Sequence, residues 1–213
     1  GHGIRGDPEN PAVKPCRNAP RHLTCLAVIR GPPMSTRFVH LHLHSEYSLA
    51  DSTIRIPELV QRCVAQGQPG VAMTDRNNLF ALVKFYKACE SAGIKPIAGA
   101  DISIAEGDET PWKLTLLCRD HGGYLSLSRL LSRAWMEGQR HDGVMVRPQW
   151  LQEANGGLFA LAGRHSQAGQ LLAGNRPDLA LQSLADWQRH FDDSFHLEIT
   201  RCGFDAETPF NAF

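Results

Sequence analysis

Residues 38–48 read Phe38-Val-His-Leu-His-Leu-His-Ser-Glu-Tyr-Ser48, and three imidazoles, His40, His42 and His44, take alternate positions in the run. In an extended strand alternate side chains share a face, so the three rings project together. The other face carries Val39, Leu41 and Leu43, which suit a core. Each buried ring nitrogen needs a partner, and one metal ion can satisfy several of them, since neutral imidazole is the commonest metal ligand. The plainer reading is a strand edge whose histidines meet water or carbonyls. Three rings in register, followed by the carboxylate of Asp51, favour the metal.

Outward from this run, strand and helix patterns alternate. Pro57 suits a first helical turn, and Leu59, Val60, Cys63 and Val64 form a stripe that ends near Gly67. Val71–Thr74 reads as a short strand. Asn77 or Asn78 can cap a helix with Leu82, Val83, Tyr86 and Cys89 on one side, closed by Gly93. An extended run from Ile94 to Ile104 is broken by Gly99. A strand at Trp112–Cys118 and a helix from about Gly123 to Trp135 follow, the helix turning Leu127, Leu130, Leu131 and Trp135 inward. After a polar loop at Glu137–Gly143 come a strand at Gly157–Ala162, helices at Ser166–Leu172 and Pro177–Phe191, and a strand at Phe195–Ile199. This β-then-α order predicts an α/β fold of parallel strands with crossover helices, a barrel or a doubly wound sheet. In a parallel barrel, chemistry collects where strands end. The polar residues at those ends are His42, His44 and Asp51, then Asp75 and Arg76, then Asp101.

Composition narrows the function. Lys plus Arg and Asp plus Glu both number 22, so no basic field advertises nucleic acid. The six cysteines, at 16, 25, 63, 89, 118 and 202, show no Cys-x-x-Cys pair and read as reduced thiols of a cytoplasmic protein. No apolar stretch approaches the roughly 18 residues of a membrane span. Residues 1–33 hold six of the 13 prolines and lack periodicity. They are set aside as a disordered extension, tag or upstream translation, leaving 34–213 as the domain. His121-Gly122-Gly123 reads as a turn before a helix, and Arg164-His165 as a basic pair at a helix cap that could also reach the strand-end rim. The four tryptophans read as core or interface residues.

Three segments carry a resemblance: FVHLHLHSEYSLAD at 38–51, AMTDRNNLFALVKFYKACESAGIKPIAGADI at 72–102 and LTLLCRDHGGYLSLSRLLSRA at 114–134. In this order they resemble the PHP (polymerase and histidinol phosphatase) domain at the start of bacterial DNA polymerase III alpha subunits. The resemblance implies a distorted (β/α)7-like PHP barrel. It also implies membership of a replicative polymerase, a DNA-directed nucleotidyltransferase whose transfer site lies in domains beyond this chain. The family's His-x-His pair matches His42 and His44. Its following acid corresponds to Asp51, and the glutamate of its Gly-x-Glu strand to Asp101. The implied cofactor is a divalent metal (Zn, Mn or Mg), weakly held or lost. His40, Asp75 and Arg76 are then supporting or blocking residues, and no catalytic residue is assigned.

Two departures from the family pattern bear on that metal. Where metal-competent members read Thr-Asp-His, this chain reads Thr74-Asp75-Arg76. Arginine keeps its proton and has no lone pair to donate. A fixed cation within about 4 Å of a divalent ion costs several kcal/mol even at an effective dielectric near 20. The family's late Asp-x-His motif is also not reached by Phe213, so the barrel is expected to be incomplete. The resemblance therefore implies first a scaffold with a degenerate metal site that docks the proofreading exonuclease subunit. It meets the remainder of the alpha chain, and DNA only through the whole polymerase. An active metal-dependent phosphoesterase or 3′-to-5′ exonuclease, and an inactive gene fragment, are the alternatives.

Overall fold

The computed structural model describes residues 38–200 except Asn155. The expected extension over 1–33 and the residues after 200 lie outside that range. In chain order the elements are α1 (Ile56–Ala65), β1 (Gly70–Met73), α2 (Leu82–Ala92), β2 (Lys95–Ile104), β3 (Trp112–Cys118) and α3 (His121–Glu137). There follow β4 (Gln139–Arg140), β5 (Gly143–Val144), α4 (Pro148–Glu153), β6 (Leu158–Ala162), α5 (Gln167–Ala173), α6 (Pro177–Phe191) and β7 (Phe195–Leu197).

Local chemistry explains most boundaries. Pro57 lies in the first turn of α1, where its missing N–H is no loss. Asp120 caps α3 by accepting a hydrogen bond from the Gly123 N–H, and Ser166 caps α5 by accepting one from the Gly169 N–H. Gly93 closes α2 in the left-handed conformation, at φ 70°. The expected cap at Asn77 or Asn78 is corrected. Asn77 takes φ 52° and the Asn78 side chain accepts from the Phe80 N–H, so both build a turn, and α2 starts only at Leu82. Its buried side chains are Phe85 and Cys89, whereas Val83 is exposed. The β4–β5 hairpin falls largely on the expected loop at Glu137–Gly143, and α4 lies in a stretch to which the sequence pattern assigned no element.

The main sheet has the order β1-β2-β3-β6-β7. β1–β2 and β6–β7 are parallel, but β2–β3 and β3–β6 are antiparallel. The expectation of parallel pairing throughout is thus corrected. Residues 105–111 between β2 and β3 are too few for a crossover, which needs a dozen or more. Gly99 does not break β2 but stands where its β3 ladder begins, while the chain after β1 still pairs with it through a parallel Arg76–Asp101 bridge. β2 pairs with β1 up to Ala98 and with β3 from Gly99 onward. A Cβ at position 99 would stand 2.4 Å from the Leu116 carbonyl oxygen, so only glycine fits that approach.

One core lies between the sheet and α3, α4 and α6, built on Ile102, Leu114, Leu116, Leu127, Leu151 and Leu158. A second joins α1 and α2 to β1 through Ile56, Val60, Phe85 and Met73. Each fully buried residue of this kind contributes roughly 1.5–3 kcal/mol. On the other face Ala72, Leu117 and Leu161, with Ile97 and Phe159, make a small third cluster drawn from four strands. The sheet therefore curls around that face without closing, an incomplete barrel of mixed α/β type. The same face continues along β2 and β3 as Asp101, Lys113 and Thr115, with Asp101 opposite Thr115 in register. An apolar layer thus floors a polar one.

Candidate metal centre

The first segment runs alongside β1 without forming a regular strand. The Ala72 N–H donates to His40 O (2.8 Å) and the Thr74 N–H to Leu43 O (2.9 Å). The Leu43 N–H finds the Thr74 hydroxyl instead of a backbone carbonyl, at 2.8 Å. The backbone bends at His42, so the expected alternation is only partly kept. The rings of His42 and His44 meet edge to face with centroids 5.3 Å apart. His40 stays exposed, its ring against Phe38, and Leu41 on the expected core face is also exposed.

His42 and His44 open into a cavity of about 700 Å³ whose wall includes Asp51, Asp101, Lys113, His165 and Glu198. Donor atoms of His42, His44 and Asp101 all lie within 4.8 Å of one another. Asp101 Oδ2 is the hub, 3.8 Å from His42 Nε2, 3.3 Å from His44 Nε2 and 3.6 Å from Lys113 Nζ. Asp101 is only 2% exposed, and a carboxylate so buried needs such partners. Thr115 Oγ1 is 3.4 Å from Asp101 Oδ1 and from His42 Nδ1. His42 Nδ1–H donates to both Glu198 oxygens, at 2.9 and 3.0 Å, which leaves its Nε2 facing Asp101.

These contacts shift the titrations. Burial pulls His42 down, but hydrogen bonds to Asp101 and Glu198 outweigh it and raise the ring from 6.5 to about 10. For Asp101, burial pushes upward and is outweighed by His42, His44 and Lys113, so the carboxyl lies well below its usual range. Burial, aided by Arg164 and Lys113, holds His165 below its ordinary value.

A family model of the PHP domain matches residues 40–202. The chain belongs to the PHP domain family. It is 59% identical over 196 residues to a DNA polymerase III subunit alpha of Xylella fastidiosa, covering 84% of this chain and 16% of that protein. The Pseudomonas fluorescens subunit is 43% identical over 171 residues (79% and 15% covered), and that of Escherichia coli K12 40% over 178 (82% and 15%). This PHP chain therefore spans 15–16% of the length of these relatives. Among solved structures it is similar to a Bacteroides vulgatus two-domain protein described as containing a "predicted PHP-like metal-dependent phosphoesterase". That match has TM-score 0.43 and 14% identity, and covers 70% of this chain and 41% of the other. A likeness of that degree says nothing about chemistry.

In this PHP domain the structure brings together three of the four ligand candidates read from the sequence. Asp51 lines the cavity wall but is bound elsewhere, accepting a hydrogen bond from the Arg76 guanidinium at 3.0 Å. Arg76 itself lies against a neighbouring groove and not on the wall around His42 and His44. Asp75 is buried and structural, accepting from Ser45 N (2.6 Å), Ser45 Oγ (2.8 Å) and Ser48 Oγ (2.7 Å). Lys113 and Glu198 were not read from the sequence as site residues. The Lys113-x-Thr115 alternation in an otherwise apolar strand was a signal for the first. For Glu198 nothing local was available. Arg164 and His165 do reach the cavity, while Ser166 takes the cap.

The donor set fits one ion. His44 Nε2 is buried with no hydrogen-bond partner, its 3.3 Å approach to Asp101 being poorly aligned for one. Two ligands about 2.1 Å from a tetrahedral ion lie roughly 3.4 Å apart, close to the 3.3 and 3.8 Å that separate Asp101 Oδ2 from the two imidazoles. Glu198 behind His42 also matches the usual carboxylate that fixes a liganding imidazole. Among the described residues a second ion finds no comparable set, and Asp51 is committed to Arg76. An ion held by His42, His44 and Asp101 would supply a Lewis acid and an acidified water. Lys113 bears on the same oxygen and opposes it.

Proposed function

We propose that this chain serves as the PHP portion of a replicative DNA polymerase III alpha polypeptide. Its role there is a structural scaffold and a docking surface for the proofreading exonuclease subunit, with a metal centre reduced from its family form. The reading is carried by the Arg76–Asp51 ion pair of 3.0 Å. The acid that would extend the ligand set is held by a cation that cannot be deprotonated. Three donors meet among the described residues, fewer than a two-metal phosphoester mechanism calls for. The polymerase relatives supply the assembly, and DNA is met through it.

The test is elemental analysis of the 213-residue chain purified without chelator, beside binding to the purified exonuclease subunit. Substoichiometric metal with firm binding is the expected result. Stoichiometric metal with Mn²⁺- or Zn²⁺-dependent hydrolysis abolished by His44→Ala would reject the scaffold. That outcome belongs to the second reading, a metal-dependent phosphoesterase, favoured by the unpartnered His44 Nε2.

A further inference from the structure

We infer that Lys113 is an internal cation occupying the electrostatic place of an ion at Asp101, and that it holds divalent metal out of the His42–His44–Asp101 cluster. The inference rests on the reading of a reduced metal centre and names the residue that reduces it.

Asp101 is nearly sealed from water, and its Oδ2 is the atom on which both imidazoles converge. A carboxylate in that position requires compensating charge. An incoming ion can take the place of the imidazole protons, whereas the Lys113 ammonium, 3.6 Å away, offers no lone pair and is the lysine or arginine group nearest that oxygen among the described contacts. Its placement is built into the sheet. Lys113 and Thr115 alternate on the β3 face that opposes Asp101, and the Lys113 N–H donates to His165 O at 2.8 Å, tying this end of β3 to the cavity rim. The side chain is mostly covered and lines the cavity with the three donors. An ion bridging His42, His44 and Asp101 would sit against this ammonium. Repulsion between the two, at the short range and low dielectric of such a site, lowers ion affinity steeply. Arg76 takes Asp51 in the same way, so each acid read as a ligand carries a cation of the chain's own.

The experiment titrates Co²⁺ into the 213-residue chain and its variants, following ligand-field absorption, metal-to-protein ratio after dialysis and the thermal midpoint. Lys113→Met and Lys113→Gln keep the length of the stem and remove the charge; two variants are made in case one folds poorly, as checked by circular dichroism. Both are expected to bind about one ion per chain, at least tenfold more tightly than the parent. The added ion should raise their melting midpoints. Lys113→Arg should stay like the parent, and His44→Ala placed on Lys113→Met should abolish the gain. Folded neutral variants no tighter than the parent would overturn the role of Lys113 and leave the reduced centre standing. A parent that already binds one ion tightly would overturn both.

Discussion

His42 Nδ1 and Glu198 Oε1 stand 2.9 Å apart although 156 residues separate them. The contact joins the segment that flanks β1 to the chain leaving β7, the two ends of a sheet that curls without closing. We expect Glu198→Ala and His42→Ala each to cost about 1 kcal/mol, and the double variant little more than either alone. A double-mutant cycle from thermal or urea denaturation checks this. Additive losses would show that the two edges are held independently.

The same ring sets the response to pH. His42 is raised from 6.5 to about 10, so its contribution is complete below 6.5 and lost as pH rises through about 10. Asp101 is lowered from 3.8, so its contribution is present above that value and fades on acidification below it. Stability should therefore peak between these limits and decline on the alkaline side. Because the His42 side chain is 31% exposed, solvent screens the pair, and the alkaline loss should total only about 1–2 kcal/mol. Urea midpoints at about pH 6, 8 and 10 measure it; His42→Ala should flatten that limb. An unchanged limb would assign the titration elsewhere.

Asp75 holds the first segment by three hydrogen bonds to Ser45 and Ser48. Ser48 Oγ in turn accepts from the Arg76 N–H at 3.0 Å. Asp75→Ala should cost about 3 kcal/mol by stranding these donors. It should also loosen the backbone that places His42 and His44. Denaturation gives the energy, and amide exchange at residues 43–48 should rise with it. A loss under about 1 kcal/mol would mean the network is replaceable by water.

Gly99→Ala should be among the costlier small substitutions. The added methyl would meet Leu116 O at 2.4 Å and Leu117 Cδ2 at 2.8 Å, where the β2–β3 ladder begins. A loss of about 2–3 kcal/mol is expected, with no change in α1 or α2. Hydrogen exchange distinguishes this from global loosening.

Much was legible along the chain because it follows from near-neighbour chemistry. The limits of β3 and α6 match their sequence reading because hydrophobic period and flanking Pro or turn residues are local signals. His42, His44 and Asp101 stood out by residue type and spacing, and the fold places them around one point. The stripe expected on α2 is half kept: Leu82 and Cys89 pack inward, while Val83 and Tyr86 are exposed and Phe85, outside that stripe, is buried. Burial chose between the stripes.

What the sequence determined by itself was the order of elements, the membership of an α/β family and a short set of ligand types. The tertiary structure decided what those groups meet. A short β2–β3 connection turned an expected parallel pair antiparallel and set Thr115 opposite Asp101, with Lys113 on the same face. Curling of the sheet brought Glu198 to His42, and the turn after β1 sent Arg76 to Asp51. Such pairings depend on where distant backbone segments come to rest, and charge energies fall off over a few ångströms. No local pattern encodes them, because they exist only once the sheet has closed the distance.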